Sequence, residues 1–120
     1  MMTLLANLPD HVVGVSASGQ IDAKDYETVL MPAVDSALRK HKRIRVLYVL
    51  TKDFESFTAG AMWDDAKLGL DYLRAWERIA VVTDVDWVAN ATRMFAFLLP
   101  GLVKVFFSQE QSDAEKWIAA

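Results

Sequence analysis

The chain has no cysteine among its 120 residues. That excludes a disulfide framework, a thiolate nucleophile and a zinc-thiolate site. Histidine is scarce too, with 2 in all. His11 falls at a strand start and His41 at a helix end, without metal-ligand spacing to each other or to a carboxylate. Both read as structural or solvated, and no cofactor or metal is expected. With 5 glycines and 3 prolines, the chain offers no Gly-rich phosphate loop and no nucleophile elbow. Basic charge is not in excess: 13 Lys and Arg face 16 Asp and Glu, for a net charge of −3 at pH 7. This removes the electrostatic case for nucleic acid, which needs a basic patch. The longest apolar run, near Phe95, is far shorter than the roughly 20 residues of a membrane-spanning helix. The opening MMTLLANLPD lacks the charged and apolar regions of a secretory signal. The expectation is a soluble cytoplasmic protein, with peripheral membrane contact left open.

What is present is apolar side chain in quantity. The composition is 53% hydrophobic and 24% charged, the profile of a globular chain and not of a disordered one. Residues 1–120 fit a single domain able to bury a core of its own. Met2–Ala6 and His11–Ser18 read as a hairpin about the turn cluster Asn7-Leu8-Pro9-Asp10. Gly19-Gln20-Ile21-Asp22 is expected to break the second strand, with Asp22 as N-cap and Asp25 as capping-box acid. A first helix follows from about Ala23 to Lys40, with a kink or break near Met31 because Pro32 lacks a backbone donor. Ile44–Leu50 is a nearly continuous apolar run, the mark of a strand covered on both faces. Thr51–Thr58 reads as a loop. Then come a second helix (about Ala59 to Trp76), a strand (Arg78–Thr83), a third helix (Asp86–Pro100, with Asp86 as N-cap), a strand (Leu102–Phe107) and a terminal helix (Gln111–Ala119, with Ser108 or Ser112 as cap). The order ββαβαβαβα predicts an α/β fold with a largely parallel sheet and right-handed crossovers.

Two helices carry more apolar surface than one sheet face covers. On a wheel at about 100° per residue, the third helix gathers Trp87, Val88, Ala91, Met94, Phe95, Leu98 and Leu99 into a core-facing stripe. Phe97 falls outside it, on the polar side. In the second helix Gly60, Asp64, Lys67, Asp71 and Arg74 fill a narrow polar sector. Met62, Trp63, Ala66, Leu70, Leu73 and their apolar neighbours take about two thirds of the circumference. Such a helix must bury a flank against a neighbouring helix, a second subunit, a ligand or lipid.

Catalytic chemistry is not visible. Asp64 and Asp65 are adjacent on a helix and do not face each other, so they are no acid/base pair. Asp64 with Lys67, and Asp71 with Arg74 or Lys67, read as surface ion pairs. Asp65 sits at the apolar margin, where a specific hydrogen bond is open to it. Asp84 stands at the carboxyl end of a strand, where α/β sheets gather ligands, although capping is the simpler role.

Taken together, Tyr26 with Pro32, Ile44–Leu50, Ala61–Asp65 with Lys67–Leu70, Trp76–Asp84, Trp87, Val105–Phe107 and Trp117 resemble the SpoIIAA-like family over nearly the whole chain. These are small bacterial domains related in fold to STAS domains and to lipid-carrying CRAL-TRIO proteins. The resemblance implies a mixed sheet of four or five strands with helices mainly on one side. Anti-sigma-factor antagonists of this type are switched by phosphorylation of a serine at the start of the helix after the central strand. Ser56 and Thr58 are the approximate counterparts here, without the surrounding motif. The lipid carriers hold apolar ligands between sheet and movable helices. The expected function is therefore a non-enzymatic binding domain for a small apolar or lipid-like ligand. Its expected lining is Met62, Trp63, Ala66, Leu70, Leu73, Trp87, Ala91, Met94, Phe95, Leu98 and Leu99. Phe97 and Leu99 are expected at a membrane or partner contact, and a homodimer is expected. The alternative is a STAS-like regulatory module that meets a protein partner through the segment 53–60.

Overall fold

A computed structural model describes residues 1–120 and places five strands in one sheet, in the order β1-β2-β3-β4-β5. β1 (Met2–Leu4) pairs antiparallel with β2 (Val12–Ile21). β2, β3 (Ile44–Phe57), β4 (Trp76–Val82) and β5 (Leu102–Phe106) run parallel. Each parallel step moves one strand in the same direction, so crossovers of one hand leave their helices on one face. Those helices are α1 (Ala23–Asp25), a π-helical turn (Tyr26–Leu30), α2 (Met31–Lys40), α3 (Ala59–Asp71) and α4 (Asp86–Ala96). Terminal α5 (Gln111–Ala119) takes the other face, where Ala114 and Ile118 pack with Leu47, Val49, Ala80, Val82 and Phe106. Its last carbonyls are held from the sheet: Arg45 Nη1 donates to Ile118 O at 2.9 Å and Arg78 Nη1 donates to Trp117 O at 2.8 Å. The element order and the one-sided helical layer agree with expectation.

The boundaries differ in instructive places. β2 does not stop at Gly19. That residue adopts φ 63°, a left-handed conformation that glycine enters without strain, and the ladder absorbs it as a bulge before continuing to Ile21. The expected loop Thr51–Thr58 is strand as far as Phe57, because the lengthened β2 offers it a partner: Ser56 lies opposite Gln20 and Phe57 opposite Ile21. Asp22 and Asp25 do form a reciprocal capping box.

Around Pro32 the helical path is unbroken, but its hydrogen bonding changes. Met31 N–H donates to Tyr26 O, five residues back, and α2 resumes with proline in its first turn. A π turn is the smallest accommodation of a missing donor that keeps the axis continuous. α3 ends at Asp71, not Trp76, and Trp76 opens β4. Asp86 is the first residue of α4 and not its cap; Val85 holds that position without a side-chain bond. Ser108 and Ser112 cap nothing. Ser108 N–H donates to Asp84 Oδ1, and Glu110 accepts from Phe107 N–H. The expected ion pairs within the second helix do not form; the one salt bridge is Arg45–Glu77, at 2.6 Å.

Candidate functional site

α3 keeps Gly60, Lys67 and Asp71 of its polar sector exposed, but turns only part of its apolar surface inward. Its inward positions are Ala61, Asp65 and Leu68, one face by helical spacing, and Ala61 and Leu68 are buried. Trp63 and Leu70 point outward and Met62 stands at the rim of the cavity; all three are more than half exposed. Trp63 faces water, and Asp65, exposed as a residue, reaches back toward Tyr26 with one carboxylate oxygen. In α4 only part of the apolar stripe reaches the core: Val88 and Leu99 are buried and Phe95 packs against them. Met94 and Leu98 are exposed.

Between α3, α4 and the sheet lies a cavity of about 240 Å³, lined by 21 residues of which 18 are hydrophobic. Of the expected lining, Met62, Ala66, Trp87, Ala91, Phe95 and Leu99 are found there. Trp63, Leu70, Met94 and Leu98 are not, because they sit on the outer sides of their helices. Leu73 lies in the turn after α3 and packs on the core instead. Leu99 is buried at 9% exposure and is unavailable as a tip contact, whereas Phe97 is 91% exposed. Sequence reasoning missed the floor: Val46, Tyr48 and Leu50 from β3, Ile79 and Val81 from β4, and Val103 from β5. Their period-two spacing on strands that precede the two helices was the available signal.

The helices close over the cavity at one point, where Gly69 of α3 approaches Phe95 of α4; a Cβ on Gly69 would stand 2.9 Å from the Phe95 ring. At the far end Phe57 meets the Trp87 ring edge-on at 6.0 Å.

The cavity has one polar corner. The π turn aims Tyr26, 1% exposed, so that its hydroxyl donates to Asp65 Oδ1 at 2.8 Å. The Tyr48 hydroxyl is 3.1 Å from the Tyr26 hydroxyl. Burial raises Asp65 above the usual carboxylate range, and the bond from Tyr26 opposes that shift. Burial, reinforced by the Asp65 charge, raises Tyr26, and burial raises Tyr48.

The linkage has a definite sign. A carboxyl whose value is raised on folding binds a proton more tightly in the native state. Its contribution to stability is full below the ordinary carboxylate value and is lost as pH climbs through the raised one. Asp65→Asn keeps an acceptor for Tyr26 and removes the charge. Its melting temperature is expected to exceed that of the wild type at pH 8 and to converge with it at pH 4. A variant less stable at both pH values would show that the ionised group is required.

Elsewhere the candidate features stay separate. His11 and His41 come within 6.1 Å, ring to ring, but no cluster of three metal-ligating side chains exists. Ser56 is held in the β2–β3 ladder. Thr58 caps α3, its hydroxyl accepting from Ala61 N–H at 3.1 Å. The segment 53–60 is thus ordered strand and helix start, not a free loop. No helix is long and apolar enough to cross a membrane.

A mixed five-stranded sheet, a helical layer on one face and a single helix on the other define a small STAS-type α/β domain, here with a hollow beneath two of its helices. The SpoIIAA-like family model matches residues 12–119, and the chain belongs to that family. It is similar to the crystal structure of an uncharacterized protein of the DUF3478 family with a SpoIIAA-like fold from Shewanella loihica PV-4. Identity is 28% and the TM-score 0.76, over 98% of this chain and 92% of that one. No curated protein matches it in sequence.

Proposed function

We propose that this protein is a non-enzymatic binding domain that takes a small apolar molecule into the space between α3, α4 and the sheet. The observation that carries this reading is the cavity itself. It is larger than the engineered apolar cavity of about 150 Å³ that takes up benzene, and its walls come almost wholly from hydrophobic side chains. Native interiors are otherwise packed close to crystal density, so a hollow of this size between two helices is a feature to be filled. N-phenyl-1-naphthylamine, a neutral fluorescent probe, is expected to bind saturably at one equivalent. Ala91→Trp, which fills the space from its exposed rim, is expected to abolish the signal. A signal that does not saturate, or that survives Ala91→Trp, would sink the reading.

A second reading concerns the rim. Phe97, Met94 and Trp63 are 91%, 72% and 71% exposed, and they stand on the helices that roof the cavity. Large apolar groups presented together suit contact with a membrane surface, from which an apolar ligand could enter. Sedimentation with mixed phosphatidylcholine and phosphatidylglycerol vesicles tests it. Removing the Phe97 ring with Phe97→Ser is expected to weaken binding roughly tenfold, given about 25 cal/mol per Å² of apolar area. Dimerisation in place of vesicle binding, also lost in Phe97→Ser, would assign the rim to a second copy of the chain.

A further inference from the structure

The polar corner decides what kind of molecule the cavity accepts, if the cavity is a binding site as proposed above. Among its 21 lining residues there is no Lys, Arg or His, and Asp65 is the one carboxylate. The protons available at this corner can be counted. A tyrosine hydroxyl has one hydrogen to give, and Asp65 in the ionised form that a cationic head would pair with has none. Tyr26 gives its hydrogen to Asp65 Oδ1. At 3.1 Å the two tyrosine oxygens share a hydrogen bond, and with the Tyr26 hydrogen already spent, Tyr48 is the donor. The chain therefore runs Tyr48 to Tyr26 to Asp65, and both hydrogens are used within it.

What the chain leaves over are acceptors. Tyr48 keeps lone pairs, and Asp65 keeps Oδ2, since Tyr26 is its only side-chain hydrogen-bond partner. Tyr48 and Asp65 both line the cavity, while Tyr26 stands behind them, 1% exposed. Elsewhere in the lining Thr92 spends its hydroxyl hydrogen on Val88 O at 2.8 Å and Trp76 its indole hydrogen on Gly69 O, so the Trp87 indole, beside Phe57 and away from the corner, is the one donor left over. An occupant with an acceptor-only head would meet acceptors and a negative charge in an apolar wall, and a carboxylate head would add a second like charge. An occupant that donates, above all one that is positively charged, would complete the corner.

We propose that the cavity selects an apolar body bearing a hydrogen-bond-donating head, an alkyl or aryl amine first and an alcohol second, with the head on Asp65 Oδ2 and the Tyr48 hydroxyl. While Asp65 is ionised, the same corner disfavours an anionic fatty-acid head. Tyr26 acts as a positioning residue: it orients the carboxylate from behind and touches no ligand.

The test uses hexylamine, 1-hexanol and hexanoate at pH 8, each titrated into the wild-type protein and followed by the Trp76 indole N–H resonance. The expected order is hexylamine, then hexanol, then hexanoate, with at least tenfold between the first and the last. Asp65→Asn is expected to cut that ratio to about threefold or less while leaving hexanol within threefold of its wild-type affinity. Asp71→Asn, which removes an exposed charge on the same helix, is expected to leave the ratio unchanged. Hexanoate binding as tightly as hexylamine would overturn the assignment of the corner and leave the cavity reading standing. So would a ratio that falls equally in Asp71→Asn, since that marks general charge attraction. No binding of any of the three would overturn the cavity reading, and this proposal with it. The wild-type order decides the matter even if Asp65→Asn fails to fold.

Discussion

Gly101→Ala is expected to lose about 3 kcal/mol of stability or more, the largest effect of any single methyl addition in this chain. A Cβ at residue 101 would overlap Trp76 O and lie 2.9 Å from Glu77 O. Both are backbone atoms of β4, and neither has a rotamer by which to retreat. Gly101 immediately precedes β5, whose Leu102 is registered against Arg78. Relieving the clash means pulling the start of β5 off the sheet and losing part of that ladder. Overpacking against movable side chains usually costs about 1–3 kcal/mol, so a clash with fixed backbone belongs at or above the top of that range. For a domain whose whole stability is about 5–15 kcal/mol, this is a large share. Urea unfolding checks it, and a midpoint within error of the wild type would refute the close approach.

Trp76→Ala is expected to cost about 3–5 kcal/mol, the range for truncating a buried large aromatic. Trp76 is 3% exposed and does two things at once. Its ring forms part of the cavity wall and meets Tyr72 edge-on at 6.5 Å. Its indole Nε1 donates to Gly69 O at 2.9 Å. Gly69 lies in the last turn of α3, where carbonyls have no partner within the helix, so the indole serves as the C-terminal cap. Trp76→Phe separates the two roles. It keeps most of the apolar ring and drops the donor, and is expected to cost about 1–3 kcal/mol through the unsatisfied carbonyl and the smaller ring. Equal losses in the two variants would place the whole effect in the hydrogen bond.

Trp76 also shows where the chain was legible and where it was not. Its helical spacing from Leu73 and Tyr72 extended α3 on paper by more than a turn, while the strand pattern Arg78–Thr83 was read two residues too late. Local periodicity cannot see that an indole will fold back to cap the helix it has just left. Thr51–Phe57 failed for a related reason. Polar and charged residues there look like a loop, and their pairing exists only because Gly19 lets β2 run on beside them. The element order and the buried central strands were readable because both rest on patterns within single segments.

For the cavity, the helix wheel found the roof from α3 and α4 but gave α3 too wide an inward face. Asp65 was placed at the margin of an apolar face. Its inward direction is set by Tyr26, 39 positions earlier, and by a π turn that follows from Pro32. No wheel drawn for α3 alone contains that information. The outward Trp63 and Leu70 lie beyond that inward face.

The hollow has a mechanical consequence as well. Where its apolar walls keep water out, the folded chain occupies more volume than its atoms require, by up to about 240 Å³ in the cavity alone. Unfolding lets water into such space, so the native state is the more voluminous one and compression works against it. An occupant of the cavity would supply the missing matter, and the folded domain would become denser and less compressible without a change in its architecture.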